Sequence, residues 1–269
     1  MQKLIINADD LGFNQTANEA ISKCLDAGVI TSSTIMAAGR AIDGVKEIVM
    51  QHPEASFGVH LCLDEVRPIS AIEVFAKYGG LDSNDIFIKG WYKDLKPNNE
   101  LVEAIYEEWR AQIEHILSLG MPISHLDSHH HVHSLPYLKE VLLRLSHEFK
   151  INKVRLPLFI PPLLRRHMKL SANPIAFQSK EKEGKIEKIM KYLMGLTAKN
   201  NELKWMKASF KTTDFFCHAD TFFNNAKVLE RYETIEIMCH PGHPAYEEET
   251  NMLFKFDFGE IQKISYKEL

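Results

Sequence analysis

The chain has 269 residues, 45% hydrophobic and 25% charged, which is enough apolar material for a sizeable core and fits one α/β barrel of about 250 residues. Lys and Arg number 32 against 36 Asp and Glu, and a net charge of -4 argues against nucleic acid or an anionic membrane as the main partner. No run approaches the roughly 18 apolar residues of a membrane span, and the four scattered cysteines form no C-x-x-C pair, so buried thiols in a reducing, cytoplasmic setting are expected.

"KLIINA" (3–8) is a short apolar run ending in two aspartates, which predicts a buried strand rather than a signal peptide. Asn14 is placed to cap a helix with Ala17, Ile21 and Leu25 inward and Gly28 beyond its end. A second strand, "TSSTIMA" (31–37), is followed by a helix over "AIDGVKEIVMQH" stopped by Pro53, and then by a third strand, "SFGVHLCL" (56–63). This βαβαβ rhythm predicts parallel strands with helices outside them.

Residues 64–98 break the rhythm with Pro68, Gly79, Gly80, Gly90 and Pro97 and with the aromatics Phe75, Tyr78, Trp91 and Tyr92. They read as a long excursion over one face, a lid or binding loop. Its aromatics either stack on a ligand or form the excursion's own small core. The stripe Leu101, Ile105, Trp109, Ile113, Leu117 restores a helix, ended by Gly120. Strands are then expected at "PISHLD" (122–127), "KVRLP" (153–157), "TDFFCH" (213–218) and "TIEIMCH" (234–240). A helix capped by Ser134 buries Leu138, Leu142 and Leu145, and residues 158–200 read as mostly helical and amphipathic. One domain over 1–269, with a loop-rich insertion at about 64–98, is the economical organisation. The segment after Pro244 shows no clear pattern.

Polar residues recur at predicted strand ends: Asp9 and Asp10, His60, Asp127 and His129, Arg155, and His240. In a parallel α/β barrel the carboxyl ends of the strands share one rim, where sites form. Singly, each residue has an ordinary role as a turn, a cap or a core histidine. Together, polar groups on apolar strands need partners, because their desolvation is costly. Imidazole and carboxylate donors suit a divalent metal with open positions for water. On an extended stretch His129 and His131 would point one way and His130 the other, so not all of "HLDSHHHVH" can hold one ion. If one of the paired aspartates is a ligand, the other is free to act as a base.

The motifs "NADDLG" (7–12), "GVITSSTIMA" (28–37), "FGVHLCL" (57–63), "HLDSHHHVH" (125–133), "VRLP" (154–157) and "EIMCHPG" (236–242) run through the chain in one order. In them the sequence resembles the YdjC-like carbohydrate deacetylases, the chitooligosaccharide deacetylase family. The resemblance implies a (β/α)-barrel-like fold, often dimeric, and one divalent ion, Mg2+ or Zn2+, held by Asp10, His60 and His129. It implies hydrolysis of the N-acetyl group of short chitin-derived sugars. By analogy with the broader polysaccharide deacetylases, Asp9 would be the general base, Arg155 its partner and His240 the general acid. His243, the tail beyond Pro244 and the segment 158–200 depart from the family pattern. Rival readings are an iron site built on two histidines and a carboxylate, a non-catalytic sugar- or metal-binding protein, and a metal-dependent hydrolase of another bond.

Overall fold

The computed structural model describes residues 1–169 and 185–269. Strand β1 (Lys3–Leu11) is central and almost wholly buried, as its apolar run predicts. Helix α1 (Gln15–Asp26) follows, and the Asn14 side chain accepts from Ala17 N–H as its N-cap. Then come β2 (Ser32–Ile35), α2 (Val45–Gln51) after one 3₁₀ turn, and β3 (Ser56–Leu61). The excursion carries a short α3 (Ile72–Lys77). Next are α4 (Asn99–Ser118), β4 (Leu126–Ser128), α5 (Lys139–Phe149), α6 (Pro162–Arg165) and α7 (Lys185–Ser209). The chain ends with β5 (Phe215–His218), α8 (Ala219–Leu229), β6 (Thr234–Cys239), α9 (Glu247–Lys255) and β7 (Gln262–Lys263).

Among the described residues the named strands pair in parallel, in the order β4-β3-β2-β1-β6-β5, and β7 pairs with the start of β1. Bridges from Leu126 to Val154 and from Lys153 to Lys211 run on from β4 towards the segment entering β5, so the strands make a partial barrel. The expected barrel-like α/β architecture is therefore present. Leu4, Ile6 and Ala8 face the helices in the main core, while Ile5 turns to the other side and packs with Tyr266 and Ile264. The same alternation carries Asn7 and Asp9 to the interior. All four cysteines are free and buried.

Several local expectations are corrected. "KVRLP" makes only isolated bridges rather than a strand, because Lys153 and Val154 each pair singly with different neighbours. Ser134 does not cap α5; the chain passes through a 3₁₀ turn at Pro136–Leu138, whose ring-fixed φ begins the helical path without a side-chain cap. The expected helical character of 158–200 holds where α6 and α7 lie, and residues 170–184 fall outside the described residues. The tail after Pro244 is ordered as α9 and β7.

The excursion's aromatics pack on one another and join the main core rather than standing open to a ligand. Trp91 stacks on Phe87 at 5.9 Å and meets Phe75 at 5.8 Å, Trp91 Nε1 donates to Leu63 O, and Tyr92 is buried with its hydroxyl on Asp64. Tyr78 is tied to Glu100 and Asn98.

Candidate metal centre

Strand β1 ends in a bulge: Ala8 pairs with Ser33 and Leu11 with Ile35, so three steps on β1 oppose two on β2. Asp10, with φ of 70°, takes up the extra residue in the left-handed region. In a regular strand Asp9 and Asp10 would face opposite sides. The bulge leaves Asp9 in the barrel interior and swings Asp10 onto the rim.

On that rim Asp10 Oδ1 lies 3.0 Å from His129 Nδ1 and 3.4 Å from His60 Nε2, and the two imidazoles are 3.4 Å apart, nitrogen to nitrogen. Asp10 Oδ1 is buried and, for all this proximity, has no aligned hydrogen bond. The ring nitrogens stand close by distance but do not aim an N–H at it. Three donors from three elements thus converge on shared space, as ligands of one cation do.

His60 is oriented from behind. Its Nδ1–H donates to Asp127 Oδ1 at 2.7 Å, which leaves Nε2 facing the rim, and Thr34 Oγ1 donates to Asp127 Oδ2 at 3.0 Å. β3 and β4 are in register at His60 and Asp127, so strand pairing itself sets this contact. Below, Gly58 leaves room for the ring of His125: a Cβ there would come within 2.6 Å of it.

Arg155 is fully buried at the centre. Its Nη1 and Nη2 bond the two oxygens of Asp9 at 2.7 Å, Nη1 also reaches Asp127 Oδ2 at 2.7 Å, and Nε donates to Glu236 Oε1 at 2.8 Å. Tyr266 donates to the other oxygen of Glu236. Burial pushes the Asp9 carboxyl up, but Arg155 and then His60 outweigh it and hold Asp9 well below the usual carboxylate range. Asp127 is lowered likewise, against burial, by Arg155 and His60. Asp10 is lowered by His129 and His60 against the same desolvation. Burial raises Glu236 to about 7, even with Arg155 and Tyr266 opposing it. Setting Glu236 aside, Asp9, Asp10 and Asp127 against Arg155 leave an excess of two negative charges among these groups. The same field acts on the rings: burial disfavours a charged His60, yet Asp127 and Asp10 lift it to about 10, and Asp10 and Glu65 lift His129 to about 9 against burial. A pocket that favours positive charge this strongly, and offers two nitrogens and an oxygen, fits a divalent cation.

His240 follows Cys239, which pairs with Ala8 across β1 and β6, so it leaves the sheet beside Asp9. Its backbone N–H bonds Glu249 Oε2 at 2.9 Å, its Nδ1 lies 3.4 Å from the same oxygen, and Tyr246 stacks on its ring at 4.4 Å. Burial lowers its imidazolium, but Glu249 and then Asp9 and Asp10 raise it overall. Gly242, with φ of 84°, permits the turn: a Cβ there would come within 2.6 Å of Thr16 O.

The histidine run does not alternate as an extended stretch would. The backbone turns after Ser128, and His130 and His131 take left-handed φ of 52° and 56°. Each ring consequently meets a different neighbour. His129 faces Asp10, His130 Nδ1 bonds Asp64 at 2.8 Å, and His131 sits edge-on to Phe216. Buried His133 bonds Ser128 and Arg155 O, and burial lowers it to about 4. His243 closes a local turn by accepting from Ala245 N–H.

The structure thus brings together Asp10, His60 and His129, and separately Asp9 with Arg155, with His240 on the same rim. Sequence reasoning did not assign Thr34, Asp64, Glu65, Glu236, Glu249 or Tyr266. Glu236 carried a signal, being a charge inside the apolar "TIEIMC"; Glu249, one of three successive glutamates, carried none.

The sequence matches the family described as YdjC-like protein over residues 3–265. A carbohydrate deacetylase of Vibrio campbellii is 36% identical over 149 residues, 55% of this chain and 57% of that protein; the match thus spans a little over half the length of each. One of Brevibacillus brevis is 26% identical over 253 residues, covering 90% of this chain and 82% of the other. A crystal structure from Enterococcus faecalis V583, described in terms of cellobiose-phosphate cleavage, superposes with a TM-score of 0.70 at 23% identity. It covers 99% of this chain and 98% of its own, a likeness of fold.

Proposed function

This chain belongs to the YdjC-like protein family, and on that footing we propose that it is a metal-dependent carbohydrate deacetylase that hydrolyses the N-acetyl group of short N-acetylglucosamine oligomers. The observation that carries the reading is the ionised Asp9, clamped by a buried Arg155 immediately beside the convergent Asp10, His60 and His129. A binding protein has use for the second group but not for the first.

Asp10, His60 and His129 would hold the ion, and their two nitrogens and one oxygen suit Zn2+ better than the oxygen-preferring Mg2+. When bound, such an ion acts as a Lewis acid that polarises an acyl oxygen and makes water more acidic. The chain's own residues do the proton work. Asp9 takes a proton from the attacking water as the O–C bond forms at the acetyl carbon. The bidentate Arg155 fixes the plane of that carboxylate and keeps it unprotonated. His240, favoured in its protonated form by Glu249, gives a proton to the amine nitrogen as the C–N bond breaks. Acetate and the free amino sugar leave. Asp127 keeps His60 in the tautomer whose Nε2 faces the rim. Tyr246, on the rim beside His240, and Phe13, stacked on His129 at 6.4 Å, offer apolar faces to a sugar ring.

The test is acetate release from N,N′-diacetylchitobiose and longer oligomers by protein loaded with Zn2+ or Mg2+, with a chelated control. Release that stops on chelation and returns with metal is expected. Loaded protein that frees no acetate from any oligomer refutes the reading.

A further inference from the structure

We propose that Glu65 is the positioning residue for His129, so that the barrel core orients one imidazole of the centre and the excursion orients the other. The inference rests on the reading of Asp10, His60 and His129 as metal ligands.

A ligand imidazole is held in place by the hydrogen bond its second nitrogen makes, and carboxylates are the usual partners. For His60 that partner is Asp127, fully buried and braced by Arg155 and Thr34. His129 turns its Nδ1 to Asp10, and its Nε2 faces Glu65 Oε2 at 3.4 Å. Glu65 comes from the excursion, outside the barrel strands.

Several features hold Glu65 there. Its φ of 58° is left-handed, a conformation that a side chain other than glycine adopts only where its surroundings impose it. Its N–H donates to Phe87 O at 3.0 Å, and Phe87 N–H donates to Val66 O at 2.9 Å. Phe87 is wedged between Phe75 and Trp91, so the excursion's packed aromatics fix the backbone of Glu65. Lys89 Nζ pairs with the same carboxylate oxygen at 3.1 Å from the exposed side. The neighbouring Asp64 is anchored by Gly90 N–H and Tyr92 Oη–H, both at 2.6 Å, and takes His130. Two consecutive carboxylates of the excursion therefore meet two consecutive histidines of the rim. The left-handed turn at His130 directs its ring to Asp64 while His129 stays on Asp10. A surface ion pair with Lys89 would explain Glu65's charge, but neither its strained backbone nor its aim at His129.

The experiment measures binding of Co2+ and Zn2+ to the whole chain without substrate, by titration and by the visible spectrum of the Co2+ form. Variants are Glu65→Ala, Glu65→Gln and Lys89→Ala. Glu65→Ala is expected to weaken metal affinity about 10- to 100-fold and to change the Co2+ band. Glu65→Gln, whose amide oxygen still accepts from Nε2–H, should recover much of both. Lys89→Ala, which removes only an exposed pair, should shift affinity by less than about 5-fold. Glu65→Ala protein with the parent's affinity and spectrum overturns the proposal. Parent protein that binds no divalent ion overturns both this proposal and the metal-centre reading. Because no acetate is measured, failure of the deacetylase reading alone leaves the result interpretable.

Discussion

Arg155→Met removes the guanidinium shared by Asp9, Asp127 and Glu236 while keeping an apolar side chain of similar length in a site with no solvent. Breaking a buried ion pair by deleting one partner costs about 3–5 kcal/mol, because the remaining charge is left without compensation. Here three carboxylates lose the same partner, so the upper end is expected at pH 8. For a chain of this size that is a fall in Tm of roughly 10–20 °C. The sign of the pH dependence follows from the lowered carboxyls. Asp9 and Asp127 titrate below their unfolded values, so their stabilisation is present above about pH 4 and is lost as pH falls through the folded values. Without Arg155 the opposing burial prevails, the carboxyls take up protons more readily, and the deficit of the variant shrinks at pH 5. Chemical denaturation of parent and variant at pH 5 and pH 8 reads both quantities. Arg155→Lys keeps the charge but not the fork that spans two carboxylates, and should fall between them. A variant within about 1 kcal/mol of the parent at pH 8, or with an equal deficit at both pH values, would show that Arg155 is not what neutralises the interior.

Asp9→Asn should lower turnover by at least about 100-fold while bound metal per chain stays unchanged, as metal analysis beside acetate release would show; wild-type turnover excludes Asp9 as the base. His60→Ala should abolish metal uptake, and Asp127→Asn should weaken it about 10- to 100-fold, both measured by titration with a competing chelator. Glu249→Gln should move the alkaline limb of the kcat/KM profile to lower pH. His240 must be protonated to act as an acid, and Glu249 raises its imidazolium, so an unmoved limb counts against that role. Glu236 keeps its proton in the folded chain up to about 7, against 4.5 for an ordinary glutamate, so stability should fall as pH rises through that window. Glu236→Gln should flatten this slope in urea titrations from pH 5 to 8, and an unchanged slope would assign it elsewhere.

The sequence by itself determined the alternation of apolar strands with amphipathic helices, and hence that the residues after those strands meet on one rim. Periodicity is local, and parallel strands bring their carboxyl ends together whatever the details. It also bore the motifs that single out Asp9, Asp10, His60, His129, Arg155 and His240. What it did not determine was how neighbours divide. Asp9 faces Arg155 and Asp10 faces the imidazoles because a bulge adds one residue to β1, and no residue type specifies that bulge. The four histidines from 129 to 133 part company because two left-handed residues turn the chain where an extended one would alternate. Trp91 and Tyr92, equally suited to a sugar or to a core, were assigned to the core by Phe75, Phe87 and Asp64. Glu249 and Glu65 acquire partners only when distant segments pack, one on His240 and the other on His129. Those choices depend on backbone torsions and on contacts across scores of residues, which only the assembled tertiary structure fixes.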